Sequence, residues 1–266
     1  ERARLDAARA AMNDNDITAA IETTKRLKAL QNAADKPEDL ARIPTLTVAD
    51  LPREGMSIPT EEVAVEGVRT LVHDIATNGI VYLDLGFDLK TLPRDLLPYL
   101  PLFSRALKQT GTSKADFVAL TQRIGRSTGG IGISRLNSPI LDRNAEMLDI
   151  VHDVLTDARL DNRDRIRQIV AEDKARTEAS LVPAGHQYVF TRLRASLHEA
   201  DWLSEQTGGI TQLLFLRELA QKIEDDWASV QSALETIRSH LINANAAFAN
   251  VTTDGSAWPG FADELK

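Results

Sequence analysis

The chain has 266 residues, 43% of them hydrophobic and 26% charged, an ordinary globular composition with enough apolar material for a sizeable core. Its net charge is −8, and its Lys and Arg are scattered among acids, leaving no concentrated basic surface for nucleic acid. The absence of cysteine excludes disulfides, Cys-based zinc sites and a thiol nucleophile, and no apolar run approaches the ~18 residues of a membrane span.

The first residues, ERARLDAARAAM, read as the middle of a helix and carry no signal-peptide pattern, as expected of a fragment of a longer protein. Residues 1–12 and 16–34 form two helical pieces separated at NDND, where Asn and Asp favour turns and caps. Ile17, Ile21, Leu27 and Leu30 give the second piece a narrow apolar stripe. Residues 36–63 hold four prolines and read as an extended connector. Val68 to Ile75 is a strand, and Asn78-Gly79 is a strong hairpin signal. After it Val81, Leu83, Leu85, Phe87 and Leu89 alternate with Ile80, Tyr82, Asp84, Gly86 and Asp88, which puts one set on each face of a sheet. The first set is apolar and must be covered; the second is mixed and is expected to meet water or a cavity.

Thr91 caps the next helix, with Pro93 in its first turn and Leu96, Leu100, Phe103 and Leu107 at helical spacing; Pro98 and Pro101 should kink it until Gly111 ends it. Ser113 and Asp116 resemble a capping box for a helix carrying Phe117, Leu120 and Ile124. TGGIGISR, residues 128–135, reads as a strand, and helices follow from LDRNAEMLDIVHDVL through SVQSALETIRSHLI, with Met147, Val151 and Val154 inward in the first. Residues 245–252, NAAFANVT, are a last strand. Early and late strands around many helices define an α+β fold: a mainly antiparallel sheet with helices packed on one face, preceded by a helical arm.

No catalytic constellation emerges. His73, His152, His186, His198 and His240 do not fall in H-E-x-x-H or H-x-x-E-H, there is no G-x-S-x-G, and Gly129, Gly130 and Gly132 are not followed by G-K-[ST]. The pairs Glu61-Glu62 and Asp225-Asp226 read as solvated surface, and Arg123 with Arg126 as charges near a helix C-terminus.

Several long segments together resemble one family. TNGIVYLDLGFDLKTLPRDLLPYLPLFSRAL, DFVALTQRIGRSTGGI, ETTKRLKALQ, IPTLTVADLPRE, LDRNAEMLDIVHDVLTDARLDNRDRIRQIVAEDKAR and GHQYVFTRLRAS…LSEQTGGITQLLFLREL resemble, in order, the third domain of presequence-protease-type zinc metallopeptidases of the pitrilysin (insulinase-like) clan. The resemblance implies four homologous α+β domains in two halves, joined by a helical hairpin and enclosing a chamber where unfolded peptides are cut. It makes residues 1–36 the end of the hairpin, 37–65 the connector, 66–252 the third domain and 253–266 the start of the link to the next. Zinc is expected in the first domain of the parent, with no cofactor in this segment, and the partners are the remaining domains and unfolded peptide, with neither nucleic acid nor membrane. Tyr82, Asp84, Gly86 and Asp88 are expected to line the chamber. Gly129, Gly130, Ile131 and Gly132 stand where the first domain of such enzymes has a peptide-pairing edge strand. The family has a further loop and strand between GGI and the LDRN-like helix start, where this chain has GISRLNSPI; either a strand is lost or residues are missing between Gly130 and Asp142, and the second is favoured.

The resemblance implies a non-catalytic, chamber-forming domain of a zinc endopeptidase, in the bacterial cytoplasm or, in a eukaryote, an organellar matrix. The alternative is a binding or assembly protein of the same fold that has lost proteolysis.

Overall fold

The computed structural model describes residues 2–51, 53–55, 57–133 and 145–265. The chain divides into two compact units, Glu1–Ser57 and Ile58–Lys266.

The first unit is helical at its start. Helices α1 (Arg2–Ala10) and α2 (Asp14–Asn32) meet at Asn13, whose side chain accepts from the Asn15 and Asp16 amides while the Asp16 carboxylate accepts from the Asn13 amide. This reciprocal cap satisfies amides that have no partner inside a helix, and it explains the break at NDND. A one-turn helix α3 (Pro37–Leu40) follows, and Ile21, Leu27 and Leu30 of α2 are exposed.

The second unit holds a four-stranded sheet in the order β1-β2-β4-β3, made of β1 (Glu61–Val65), β2 (Val68–Asp74), β3 (Tyr82–Phe87) and β4 (Ala247–Thr253). β1–β2 and β3–β4 are antiparallel and β2–β4 is parallel, so the sheet is mixed with antiparallel pairs in the majority. Residues 61–65, read from sequence as the tail of the connector, are strand β1. The hairpin lies at Glu66-Gly67, where both residues have positive φ (47° and 80°), as a twist-matched two-residue turn requires. Asn78-Gly79 is also a left-handed turn (φ 56° and 82°), but it joins strands that are not neighbours, because β4 lies between β2 and β3. The Asp254 carboxylate just past β4 accepts from the Thr77 and Gly79 amides, tying this turn to β4 instead of to β2.

The helical layer begins differently from its sequence pattern. Residues 89–107 do not make one kinked helix. Two 3-10 turns, Leu89–Thr91 and Arg94–Tyr99, precede α4 (Leu100–Gln109). Pro98 sits in the second turn, and Pro101 sits in the first turn of α4, where its missing N–H leaves no broken bond. Gly111 (φ 79°) then reverses the chain. A side chain there would press on the Ala115 carbonyl at 2.8 Å. Helix α5 (Phe117–Ser127) is capped by Asp116 through the Ala119 amide; Ser113 instead bonds Asp157.

Residues 128–133 form no strand: Thr128 closes α5, its hydroxyl accepts from the Gly130 amide, and Gly130 has φ 120°. The rest of the expected strand, Ser134 and Arg135, lies outside the described residues, as does most of the stretch between Gly130 and Asp142. Then come α6 (Ala145–Thr156), α7 (Arg163–Ser180), α8 (Gly185–Arg194), α9 (Glu199–Gly208), α10 (Ile210–Asp225), α11 (Trp227–Leu241) and, after β4, α12 (Trp258–Glu264).

Two apolar clusters hold this unit. The larger joins α4, α7, α10 and α11 through Phe103, Leu107, Ile166, Ile169, Leu219 and Ile237. The smaller packs α6 and α12 onto the sheet, with Met147 and Phe261 against Val81, Leu83, Ala249 and Val251. Each fully buried Leu or Ile contributes about 1.5–3 kcal/mol from removal of its surface from water.

Candidate functional site

The alternation that buries Val81 and Leu83 sends Tyr82, Asp84 and Gly86 to the opposite face of β3, away from both apolar clusters. β4 and β2 follow the same rule, with Ala249 and Val251 turned to the helices and Phe248, Asn250 and Thr252 turned away. Register then sets the open face in rows: Arg69, Phe248 and Gly86; Leu71, Asn250 and Asp84; His73, Thr252 and Tyr82. Most of these side chains are partly exposed, and none of them belongs to either apolar cluster of this unit.

A hydrogen-bonded path crosses this face. Asn250 Nδ2 donates to Asp84 Oδ2 at 3.1 Å, and Asn250 Oδ1 lies 2.6 Å from His73 Nε2. His73 Nδ1 faces both the Pro59 carbonyl at 3.0 Å and the Thr60 hydroxyl at 3.1 Å, so the imidazole is held from both of its nitrogens. Asp84 Oδ1 is buried without a hydrogen-bond partner. A carboxylate oxygen in that state is an acceptor for any N–H or O–H that reaches it.

At the other end of the face Arg69 makes two bonds to Glu62, at 2.8 and 2.9 Å. The hydrogen bond from Arg69 holds the Glu62 carboxyl below the usual carboxylate value. Gly86 is glycine for a steric reason. The Phe248 ring lies over it, and a methyl group there would sit 2.1 Å from the ring carbon.

Of the residues expected from sequence to line a cavity, Tyr82, Asp84 and Gly86 share this face. Asp88 lies beyond the strand, exposed, and its carboxylate accepts from the Lys90 amide to start the 3-10 turn. The second expected group, Gly129, Gly130, Ile131 and Gly132, is not brought to this face. Ile131 packs against both apolar clusters, and its carbonyl accepts from Lys108 Nζ at 2.9 Å. Burial lowers the Lys108 amine from its usual value. His73, Asn250 and Phe248 escaped the sequence reading: period-two alternation puts Phe248 and Asn250 on one side of AFANVTT, but only the register with VRTLVHD brings His73 to the same face.

The helical layer carries its own charge cluster. Asp153, 2% exposed, accepts from Lys114 at 2.6 Å and Arg123 at 3.1 Å. Burial pushes the Asp153 carboxyl up, but these hydrogen bonds outweigh it and hold it below the usual value. Arg123, read as surface charge, thus braces α5 against α6 through Asp153 and Glu146. Among the described residues no three His, Asp or Glu converge on a point that would hold a metal ion. The described side chains do not fit a zinc centre.

The fold is similar to that of pitrilysin. The crystal structure of pitrilysin superposes with a TM-score of 0.51 over 79% of this chain and 22% of its own, at 16% identity. The family model for associated domains of peptidase family M-16, subfamily C, matches residues 1–140 and 135–219, and the chain belongs to that family. Presequence protease 1, chloroplastic/mitochondrial, of Arabidopsis thaliana is 34% identical over 274 aligned residues, covering 97% of this chain and 25% of the relative. Protein HypA of Clostridium perfringens is 27% identical, covering 99% and 29%. The chain thus spans about a quarter of the length of the curated relatives it matches.

Proposed function

We propose that this chain is a chamber-forming, non-catalytic segment of a zinc metalloendopeptidase that degrades unfolded peptides, with the bare face of its sheet turned toward the peptide. The observation that carries the reading is that face itself. Three strands present a partly exposed polar surface, with a buried acceptor at Asp84 Oδ1, where an isolated domain would be expected to have a second helical layer or plain solvated charge. Membership of a peptidase family and a quarter-length match to presequence proteases support it. In this reading residues 1–36 end a linking arm, 66–252 are the third of four domains, and 253–266 lead to the fourth. The zinc that would supply the hydrolytic chemistry is held by residues outside this chain. The setting is the bacterial cytoplasm or, in a eukaryote, an organellar matrix; among the described residues no helix is long and apolar enough to cross a membrane.

The test uses the complete polypeptide of the parent reading frame. Chelator-sensitive cleavage of an unfolded peptide is expected, together with crosslinking of that peptide to a photoreactive side chain replacing Tyr82, in excess of one replacing the exposed Asp164. Equal capture at the two positions would sink the assignment of the bare face. Capture without cleavage would favour a binding protein of the same fold that has lost proteolysis.

A further inference from the structure

Phe248 does not match its setting on the bare face. It is 46% exposed, on a surface whose other members are polar side chains, Gly86 and the half-buried Leu71 one row away. Its ring lies over Gly86 of β3, where any side chain would collide with it, so the seat of the ring depends on that glycine. The cation of its row is spent elsewhere, since Arg69 makes two bonds to Glu62. An open ring of this kind takes a second ring or an aliphatic side chain, through surface removed from water and through offset or edge-on stacking.

The next row along β3 holds Asp84, two residues from Gly86 and so about 7 Å along the strand. Its Oδ2 accepts from Asn250, its Oδ1 has no partner, and among the described residues no Lys or Arg pairs with it. The residue is half-buried, where a charge is screened less than in open solvent. Oδ1 is closed to water, so a cation arriving beside Asp84 acts first through its charge, and a donor that reaches Oδ1 adds a charge-assisted bond. His73 does not fill this role, because its two nitrogens are held by Asn250 on one side and by Pro59 and Thr60 on the other.

We infer that the bare face reads a two-residue register in an unfolded peptide: a large apolar or aromatic side chain on Phe248 and a Lys or Arg side chain at Asp84. The match is one of repeat lengths. An extended peptide presents alternate side chains on one side about 7 Å apart, which is the spacing between the seat of the ring at Gly86 and Asp84. Side chains one or three residues apart point to opposite sides and cannot serve both positions. The inference rests on reading this face as the surface turned toward the peptide, and it adds which side chains that surface selects.

Competition against photo-capture at Tyr82 in the complete polypeptide tests it. Four unfolded peptides of one length, otherwise Gly and Ser, carry Phe-Ser-Lys, Phe-Ser-Ser, Ser-Ser-Lys or Phe-Ser-Ser-Lys. The first should displace the captured peptide at a concentration about fivefold lower than each of the others, and the part due to Lys should shrink as salt rises. Phe248→Ala should erase the advantage of Phe and keep that of Lys, and Phe248→Tyr should restore it. Asp84→Asn should erase the advantage of Lys and keep that of Phe. Each variant loses one preference and retains the other, which a failure to fold would not do. Equal competition by all four peptides would overturn the inference and leave the peptide-facing reading in place. So would a Phe advantage unmoved by Phe248→Ala, or the loss of both preferences in one variant that keeps the near-ultraviolet circular dichroism of its parent. Capture at Tyr82 no greater than at Asp164 would remove the inference and the reading together.

Discussion

The two sides of one sheet obey different physics although their residues alternate along the same strands. On the covered side Leu83, Ala249 and Val251 are almost wholly buried against Met147 and Phe261, and their contribution is transfer from water and close packing. On the bare side Asp84, Asn250 and His73 are joined by directional bonds in partly wet surroundings, where a single bond contributes only about 1 kcal/mol. The covered side therefore holds the fold together, and the bare side is free to be shaped by what it meets. If that division is real, substitutions a single residue apart on β3 should differ in size and in kind.

Leu83→Ala should show the largest effect. The side chain is 1% exposed and its neighbours come from both α6 and α12, so truncation leaves a cavity that cannot collapse. A loss of about 2–5 kcal/mol is expected by urea denaturation with an unchanged m-value. A loss below about 1 kcal/mol, on the scale of a single polar bond, would erase the distinction between the two sides. Gly86→Ala is the intermediate case, on the bare side yet sterically tight. The added methyl must displace the Phe248 ring, at a cost of about 1–3 kcal/mol. Phe248→Ala in the same chain should return most of that loss. A double mutant no more stable than Gly86→Ala alone would mean that the backbone, and not the ring, objects to a side chain there.

Much of this division was legible beforehand. Alternation in TNGIVYLDLGFDL identifies both faces of β3, and Asn13 and Gly111 mark a helix start and a helix stop through local hydrogen bonding and a left-handed backbone. What resisted reading is non-local. Asn78-Gly79 specifies a turn but cannot specify that β4, more than 160 residues later, enters between the strands on either side of it. The same separation hides the pairing of His73 with Asn250. Glu66 conceals the true hairpin, because a Glu at positive φ is uncommon and no composition rule points to it. Residues 128–133 have strand-like composition, yet the Ile131 side chain packs between the two clusters and its carbonyl is taken by Lys108, which leaves the segment irregular. Alternation and mixed polarity supplied the expectation of an open face with Tyr82, Asp84, Gly86 and Asp88 on it, of which Asp88 falls beyond the end of β3, and the resemblance to a peptidase family added only that this face lines a chamber.

The smallest effects separate the two sides by pH. Asp153 on the covered side and Glu62 on the bare side are both held below their ordinary values by basic partners. A carboxyl lowered in this way binds its proton less readily in the folded chain than in the unfolded one. Its contribution is complete above the ordinary carboxylate value of about 4 and drains away as pH falls through the lowered one. Asp153 is buried, so Asp153→Asn should cost about 1–2 kcal/mol at neutral pH and flatten the acid limb of the stability curve, the two proteins converging in strong acid. Glu62 and Arg69 have side chains 56% and 63% exposed, where water and salt screen the pair. Glu62→Gln should leave both the unfolding midpoint and its acid limb where they were, at low salt as at high. A Glu62→Gln protein that unfolded in acid as differently from its parent as Asp153→Asn would show that the bare face is shielded from water in the isolated chain, and the division between the two sides would then have to be drawn elsewhere.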